Sequence, residues 1–281
     1  MKVKFAASLF LLAAVGIAFA YNLQEKKMFE LKFYLGENIV DTARKSGAPR
    51  FGVDDVAGLI SYELSGIPAD IAITFATEGY EISVKDVYSL VMYADDHRRD
   101  NMAVQALMLQ FSTDSVKSHE DGKKFMMQIA NKFRNGKWKR YIRADCPSVT
   151  GRSAYLNEAG QLAVFGACPL DPNYTIPLDD WVKLTDQTQT FQWMGNGTLA
   201  TLSVRYSDDT RGITYSVDLD FENFAIKQKV EQDNLDRELA VGDKKGWNST
   251  ASYKKQIQEN KVKIKMLEAS AMHRGDHLLS R

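Results

Sequence analysis

The chain contains two cysteines, Cys146 and Cys168, and each is followed by a proline. Between them two short β-prone runs flank Asn157-Glu158-Ala159-Gly160, a four-residue turn in which glycine accepts a positive φ. Such a hairpin returns the chain to its start and brings Cys146 to Cys168, so the sequence predicts a disulfide. Closing a loop of this length contributes on the order of 3 kcal/mol by restricting the unfolded chain. The prolines fix the backbone that leaves each cysteine and stop strand extension there. A redox pair normally uses the close Cys-x-x-Cys spacing, which is absent, and zinc needs two further ligands. The four histidines, His97, His119, His273 and His277, do not stand at motif spacing. We therefore expect a structural staple, with no metal site and no cofactor.

A disulfide implies an oxidising compartment, and the start of the chain agrees. Lys2 and Lys4 precede an apolar run from Phe5 to Ala20 that ends in Ala18-Phe19-Ala20, the layout of a signal peptide. The run is somewhat short for a membrane span. Residues 22–47 read as a helix, with Leu23, Leu31, Tyr34, Leu35 and Ile39 on a stripe, Arg44 and Lys45 in the last turn and Gly47 as the stop. If that helix continues the leader without a break, residues 1–20 remain as an anchor. Both readings place the body outside the cytoplasm, and the short basic leader points to a bacterial periplasm, soluble or tethered to the inner membrane. Sequons at Asn173, Asn196 and Asn248 carry meaning only in a eukaryotic secretory pathway.

Charge narrows the function classes. The whole chain balances 36 basic against 36 acidic residues, and loss of Lys2 and Lys4 with a leader leaves a net charge of −2. A dedicated nucleic-acid binder carries a basic surplus, so that class is excluded. The 44% hydrophobic content is that of an ordinary globular protein able to bury a core.

The expected fold class is α+β, with a helix-rich N-terminal part, a disulfide-stapled antiparallel β part and charged C-terminal helices. In the stretch 53–64, Val56, Leu59, Ile60 and Leu64 share a helical face, and Ser83 with Asp86 reads as the N-cap of a helix over 84–94. Residues 69–77 alternate Ile71, Ile73 and Phe75 as a strand. Residues 101–111 are apolar on both faces and suit either a helix or a central strand. The clearest helix begins at Ser118 with Asp121, carries Phe125, Met126, Ile129 and Phe133 as its stripe and ends at Asn135-Gly136. Beyond Lys137 the runs shorten. Residues 188–223 read as an antiparallel meander turned at Gly195-Asn196-Gly197 and around Asp208 to Gly212. Residues 224–281 read as two helices interrupted between Gly242 and Asn248. In the second, Tyr253, Ile257, Ile264, Leu267 and Ala271 lie near one face. The expected divisions are 1–20 leader or anchor, 21–136 helix-rich part, 137–223 β-rich part and 224–281 tail.

Two surfaces are candidates for a partner. Residues 132–143 contain Lys132, Arg134, Lys137, Lys139, Arg140 and Arg143 with no acid, interleaved with Trp138 and Tyr141. Aromatic and basic groups together suit an anionic polymer, a lipid head group or an acidic protein, although a charged sheet edge that resists aggregation has the same composition. The proposed contacts are Lys137, Trp138, Lys139, Arg140 and Tyr141. The tail face of Ile257 and Ile264 is the second; a helix simply packed on the body would look the same.

Catalytic signals are weak. The nucleophile elbow, the phosphate-binding loop, the dinucleotide fingerprint and the His-Glu-x-x-His zinc motif are absent from the sequence, and Ser252-Tyr253-Lys254-Lys255 lacks the companions of a serine acyl-enzyme. Asp95, Asp96, His97 and Asp100 could supply an acid and a base, or form local ion pairs with Arg98 and Arg99. Asp218, Asp220 and Glu222 share one strand face opposite Val217, Leu219 and Phe221, as a half-solvated strand does, and paired carboxylates could also serve glycoside hydrolysis. We assign no catalytic residue. The expectation is an exported envelope protein that binds another macromolecule, preferably a secreted or envelope protein, as adaptor, inhibitor or assembly factor. The alternative is an envelope hydrolase centred on Asp95, Asp96 and His97.

Overall fold

The structure is a computed structural model that describes residues 30–95, 101–210 and 212–279. Two sheets organise it. The smaller holds β1 (Glu30–Phe33), β4 (Ala72–Thr77) and β5 (Tyr80–Val84) in the order β1-β4-β5, with β1 parallel to β4. The larger is antiparallel throughout, in the order β2-β3-β6-β7-β11-β10-β9-β8. Its strands are β2 (Gly52–Val56), β3 (Leu59–Ser65), β6 (Val87–Asp95), β7 (Ala106–Phe111), β8 (Lys139–Arg140), β9 (Gln189–Gly195), β10 (Thr198–Asp209) and β11 (Gly212–Asn223). Helices α1 (Ile39–Lys45), α2 (His119–Arg134) and α3 (Leu178–Thr185) belong to the body, and α4 (Phe224–Lys244) and α5 (Ser249–His273) form the tail.

The core lies on one face of the large sheet. Leu107, Leu109, Phe191, Trp193, Leu202, Val217, Leu219 and Phe221 alternate inward and are buried, as period-two strands require. The small sheet and α2 cover them. Phe75 of β4 stacks on Phe221 at 4.0 Å, and Phe133 of α2 stacks on Trp193 at 4.2 Å. Helix α2 follows its sequence signals: the Ser118 hydroxyl accepts from the Asp121 N–H, Met126, Ile129 and Phe133 are buried, and the helix ends at Asn135. The strand over Ala72–Thr77 and the meander β9-β10-β11 also agree with the sequence reading.

The helix-rich first part is corrected. Among the described residues before 136 there are seven strands against two helices. The stretch 53–64 is the β2-β3 hairpin, turned by Ala57 and Gly58 at positive φ of 54° and 82°. All five residues of β2 are exposed, so no buried face imposed the alternation that identifies a strand. The expected Ser83–Asp86 cap is absent: Ser83 lies within β5, and Lys85-Asp86 links β5 to β6 with Asp86 at φ 61°. Strand β6 follows it with an irregularity between Val87 and Ser89. That bulge shifts the buried set to Val87, Leu90, Met92 and Ala94, and the first interval imitates helical spacing. The ambiguous run of residues 101–111 contains strand β7, which pairs directly with β11 of the meander. Of the helix expected over 22–47, only α1 forms within the described residues, capped by Asn38 and ended by Gly47, while Glu30–Phe33 is a strand. Residues 1–29 lie outside the described residues. The large sheet also runs across residue 136, since β7 pairs with β11.

The disulfide Cys146–Cys168 is formed, with Cα atoms 5.6 Å apart. The turn between the cysteines is present, with an antiparallel bridge from Leu156 to Leu162, but the first run is a short 3-10 helix (Gly151–Tyr155) rather than a strand. This stapled segment is the platform for the end of the tail. Leu279 N–H donates to Ser148 O, Thr150 N–H to His277 O, and Arg274 Nε to the Ser153 hydroxyl. Ala271 of α5 is buried against Val149 and Ala154.

Candidate functional site

The basic aromatic segment does not form the surface expected of it. Trp138 is 6% exposed and sits among Phe75, Tyr80, Phe133 and Phe221. Arg140, in β8 two residues further on, also turns inward. Its guanidinium lies 3.3 Å from Asp171, with the two side chains 7% and 5% exposed. Asp171 also accepts from the N–H groups of Gly151 and Asn173. Burial pushes the Arg140 guanidinium down from its ordinary value and the Asp171 charge opposes this. Breaking one side of such a pair strands a buried charge, which makes Arg140 a structural residue. Tyr141 is half-buried against Phe224, 5.1 Å between ring centres. Lys137 and Lys139 remain exposed. The five-residue contact surface is thereby corrected to two solvated lysines over a buried framework.

The tail departs from expectation in a different way. Ile264, Leu267 and Ala271 are buried and Ile257 is half-buried, so this face packs inward, and Ile264 is not available as a contact. Other apolar groups take the exposed positions. Val262 is 61%, Met266 54% and Trp247 64% exposed, and Val241 is exposed on α4. Lys254, Lys255, Lys261, Lys263 and Lys265 accompany them on α5, against Glu259 and Glu268. Among the described residues α4 buries Gly242 alone, where an added Cβ would lie 1.9 Å from the Ser249 hydroxyl; the two helices turn back on each other through that contact.

Of the acidic and histidine cluster, Asp95 ends β6, and Asp96, His97 and Asp100 lie outside the described residues. Among the described residues no group of three His, Cys, Asp or Glu side chains is placed to hold a metal ion.

The second face of the large sheet holds the three carboxylates that the sequence places on one face of a strand. Asp218, Asp220 and Glu222 project there, opposite the core side chains of β11, as their alternation requires. A cavity of about 390 Å3 opens around Asp220, lined by Tyr93 of β6, Ala106 and Met108 of β7, Gln192 of β9, Thr201 of β10, Glu222 of β11 and Lys227 of α4. Burial raises the Asp220 carboxyl to about 7, reinforced by Glu222 and Asp218 and opposed by Lys227. Asp218 is raised as well, mainly by burial, with Ser216 and Gln110 acting against it. Glu222 is paired, since Lys227 Nζ donates to it at 2.8 Å and stands 3.6 Å from Glu231. Gln192 Nε2 donates to the Thr201 hydroxyl at 3.2 Å, whereas its Oε1 is buried and receives no hydrogen bond. The arrangement can hold a proton near neutral pH, or a cation. Alternation had marked the three carboxylates; Tyr93, Met108, Gln192, Thr201 and Lys227 come from five separate elements and left no local signal.

Compared with protein-family models, with curated proteins and with solved structures, the chain matches none.

Proposed function

We propose that the protein is an exported envelope protein that acts without catalysis, as an adaptor, inhibitor or assembly factor, by binding another protein through the α4–α5 hairpin. One observation carries this reading. The hairpin leaves Val262 and Met266, one turn apart on α5, exposed among lysines while its other apolar face is already used. Exposed apolar groups of this kind on a helix suit a partner helix laid along them. The lysines select a partner whose apolar stripe is rimmed by acids, because complementary charge speeds encounter and rejects wrong partners. The disulfide fits an oxidising, exported compartment. Among the described residues no helix is long and apolar enough to cross a membrane. A bacterial periplasm, with residues 1–20 removed or retained as a tether, is the compartment we assign.

The test is cross-linking in the native envelope with the wild-type chain and with a Val262→Glu/Met266→Glu variant. Both positions are exposed, so the variant keeps the wild-type unfolding midpoint. Recovery of one stoichiometric protein, lost in the variant, supports the reading. A partner retained by the variant, sedimentation with anionic vesicles in place of a protein, or a wild-type chain recovered alone overturns it.

A further inference from the structure

The cavity under the root of α4 is independent of the hairpin surface and has its own chemistry. Ala106 and Met108 supply apolar lining and Tyr93 an aromatic ring. Hydrogen-bond acceptors dominate the rest: the Asp220 carboxylate, the Thr201 hydroxyl and Gln192, whose Oε1 is buried without a donor. Lys227 is the one basic group in the lining, and it is already engaged by Glu222 and Glu231. A buried acceptor without a donor costs free energy, and a sheltered carboxylate whose nearby lysine is held by two other carboxylates costs more. A ligand that brings both N–H donors and positive charge removes both costs. We propose that this cavity binds a small primary ammonium ion carrying an apolar chain, with the ammonium at Asp220, Thr201 and Gln192 and the chain along Met108 and Tyr93. The volume is within the usual range for small-molecule sites.

A dependence on pH follows from the groups that face Asp220. Asp218 and Glu222 on its own strand disfavour its ionised form, Lys227 of α4 favours it, and Glu231 beyond Lys227 competes for that lysine. Tyr93 of β6 is the remaining titratable group in the lining, while β7, β9 and β10 contribute the neutral Ala106, Met108, Gln192 and Thr201. Since the Asp220 carboxyl titrates at about 7, an ammonium ligand is held more tightly as pH rises through that value.

The probe is n-butylammonium, titrated into the full chain and followed by the NMR signals of the Met108 methyl and the Gln192 side-chain amide. n-Butanol serves as the uncharged analogue and tetramethylammonium as the cation without N–H donors. The expected result is saturable binding of butylammonium alone, about tenfold tighter near pH 8 than near pH 6, as one titrating carboxylate dictates. The variant Asp220→Asn, which is isosteric, loses the binding and its pH dependence. Gln192→Leu, a second variant that leaves the carboxylate in place, weakens the affinity while keeping the pH dependence. Binding that is equal for butanol, equal for tetramethylammonium, unchanged in Asp220→Asn or flat between the two pH values overturns the proposal, as does the absence of saturable shifts in the wild type.

Discussion

Asp220 shows how a single side chain can oppose the stability of the fold that shelters it. Its carboxyl is raised from an ordinary 3.8 to about 7, chiefly by burial. The unfolded chain therefore releases this proton between about pH 4 and pH 7 while the folded chain keeps it. Over that window the group's contribution to stability falls as pH rises, and above about 7 the full cost of the buried carboxylate is present. We expect Asp220→Asn to stabilise the protein near pH 8 by no more than about 4 kcal/mol, with the gain vanishing near pH 4. Urea unfolding at the two pH values reads this directly; an equal effect at both would show that the residue acts through packing. Arg140 is the counterpart, a buried charge that does have a partner in Asp171. Both residues looked like surface groups in the sequence. A charged residue is read as solvated until something shows what stands opposite it, and what stands opposite lies in sequence 31 residues away for Arg140 and on neighbouring strands for Asp220.

The element that links the body to the tail is the disulfide segment. Cys146 precedes the residues that receive α5, since Ser148, Thr150 and Ser153 all bond to residues from 268 onward. Replacing both cysteines by serine removes about 3 kcal/mol of unfolded-state restriction. We expect a local consequence as well: amide exchange accelerates in residues 148–157 and in the last two turns of α5 together, ahead of the large sheet. Uniform acceleration through the whole chain would show that the staple serves global stability alone. At this scale the sequence was a good guide wherever an element carried its own boundary signals. Ser118 at the start of α2, Asn196-Gly197 between β9 and β10, and the interruption between α4 and α5 act locally, within a few residues of where they stand. It misled where an element owed its form to a neighbour. The bulge in β6 and the doubly exposed β2 are both shaped by what lies next to them in the sheet or by what does not.

At the scale of the whole molecule, the large sheet ends at β2, an edge strand of five residues. All five of its residues are exposed, and Val53 and Val56 stand beside Asp54 and Asp55. Charges on an edge strand discourage edge-to-edge pairing with another chain. We expect Asp54→Val/Asp55→Val to self-associate, seen as a concentration-dependent shift in sedimentation velocity, with little change in the unfolding midpoint at low concentration. A variant that stays monomeric at high concentration would show that twist or the exposed backbone alone already protects this edge. The opposite edge, β8, has two residues and offers little to pair with.

Patterns of short range were enough to establish the α+β class, the staple, the meander, helix α2 and the helical hairpin at the end, because caps, turns and period-two alternation are local consequences of backbone geometry. The tertiary structure alone decided that β7 joins the meander through β11, which carries the large sheet across the change in composition at residue 136. It also decided that Trp138 and Arg140 point inward and that Lys227 closes a cavity over Asp220. Pairing between distant strands and the meeting of side chains from five elements depend on the register of the whole sheet, and register leaves no mark within the span of residues over which propensity and periodicity act.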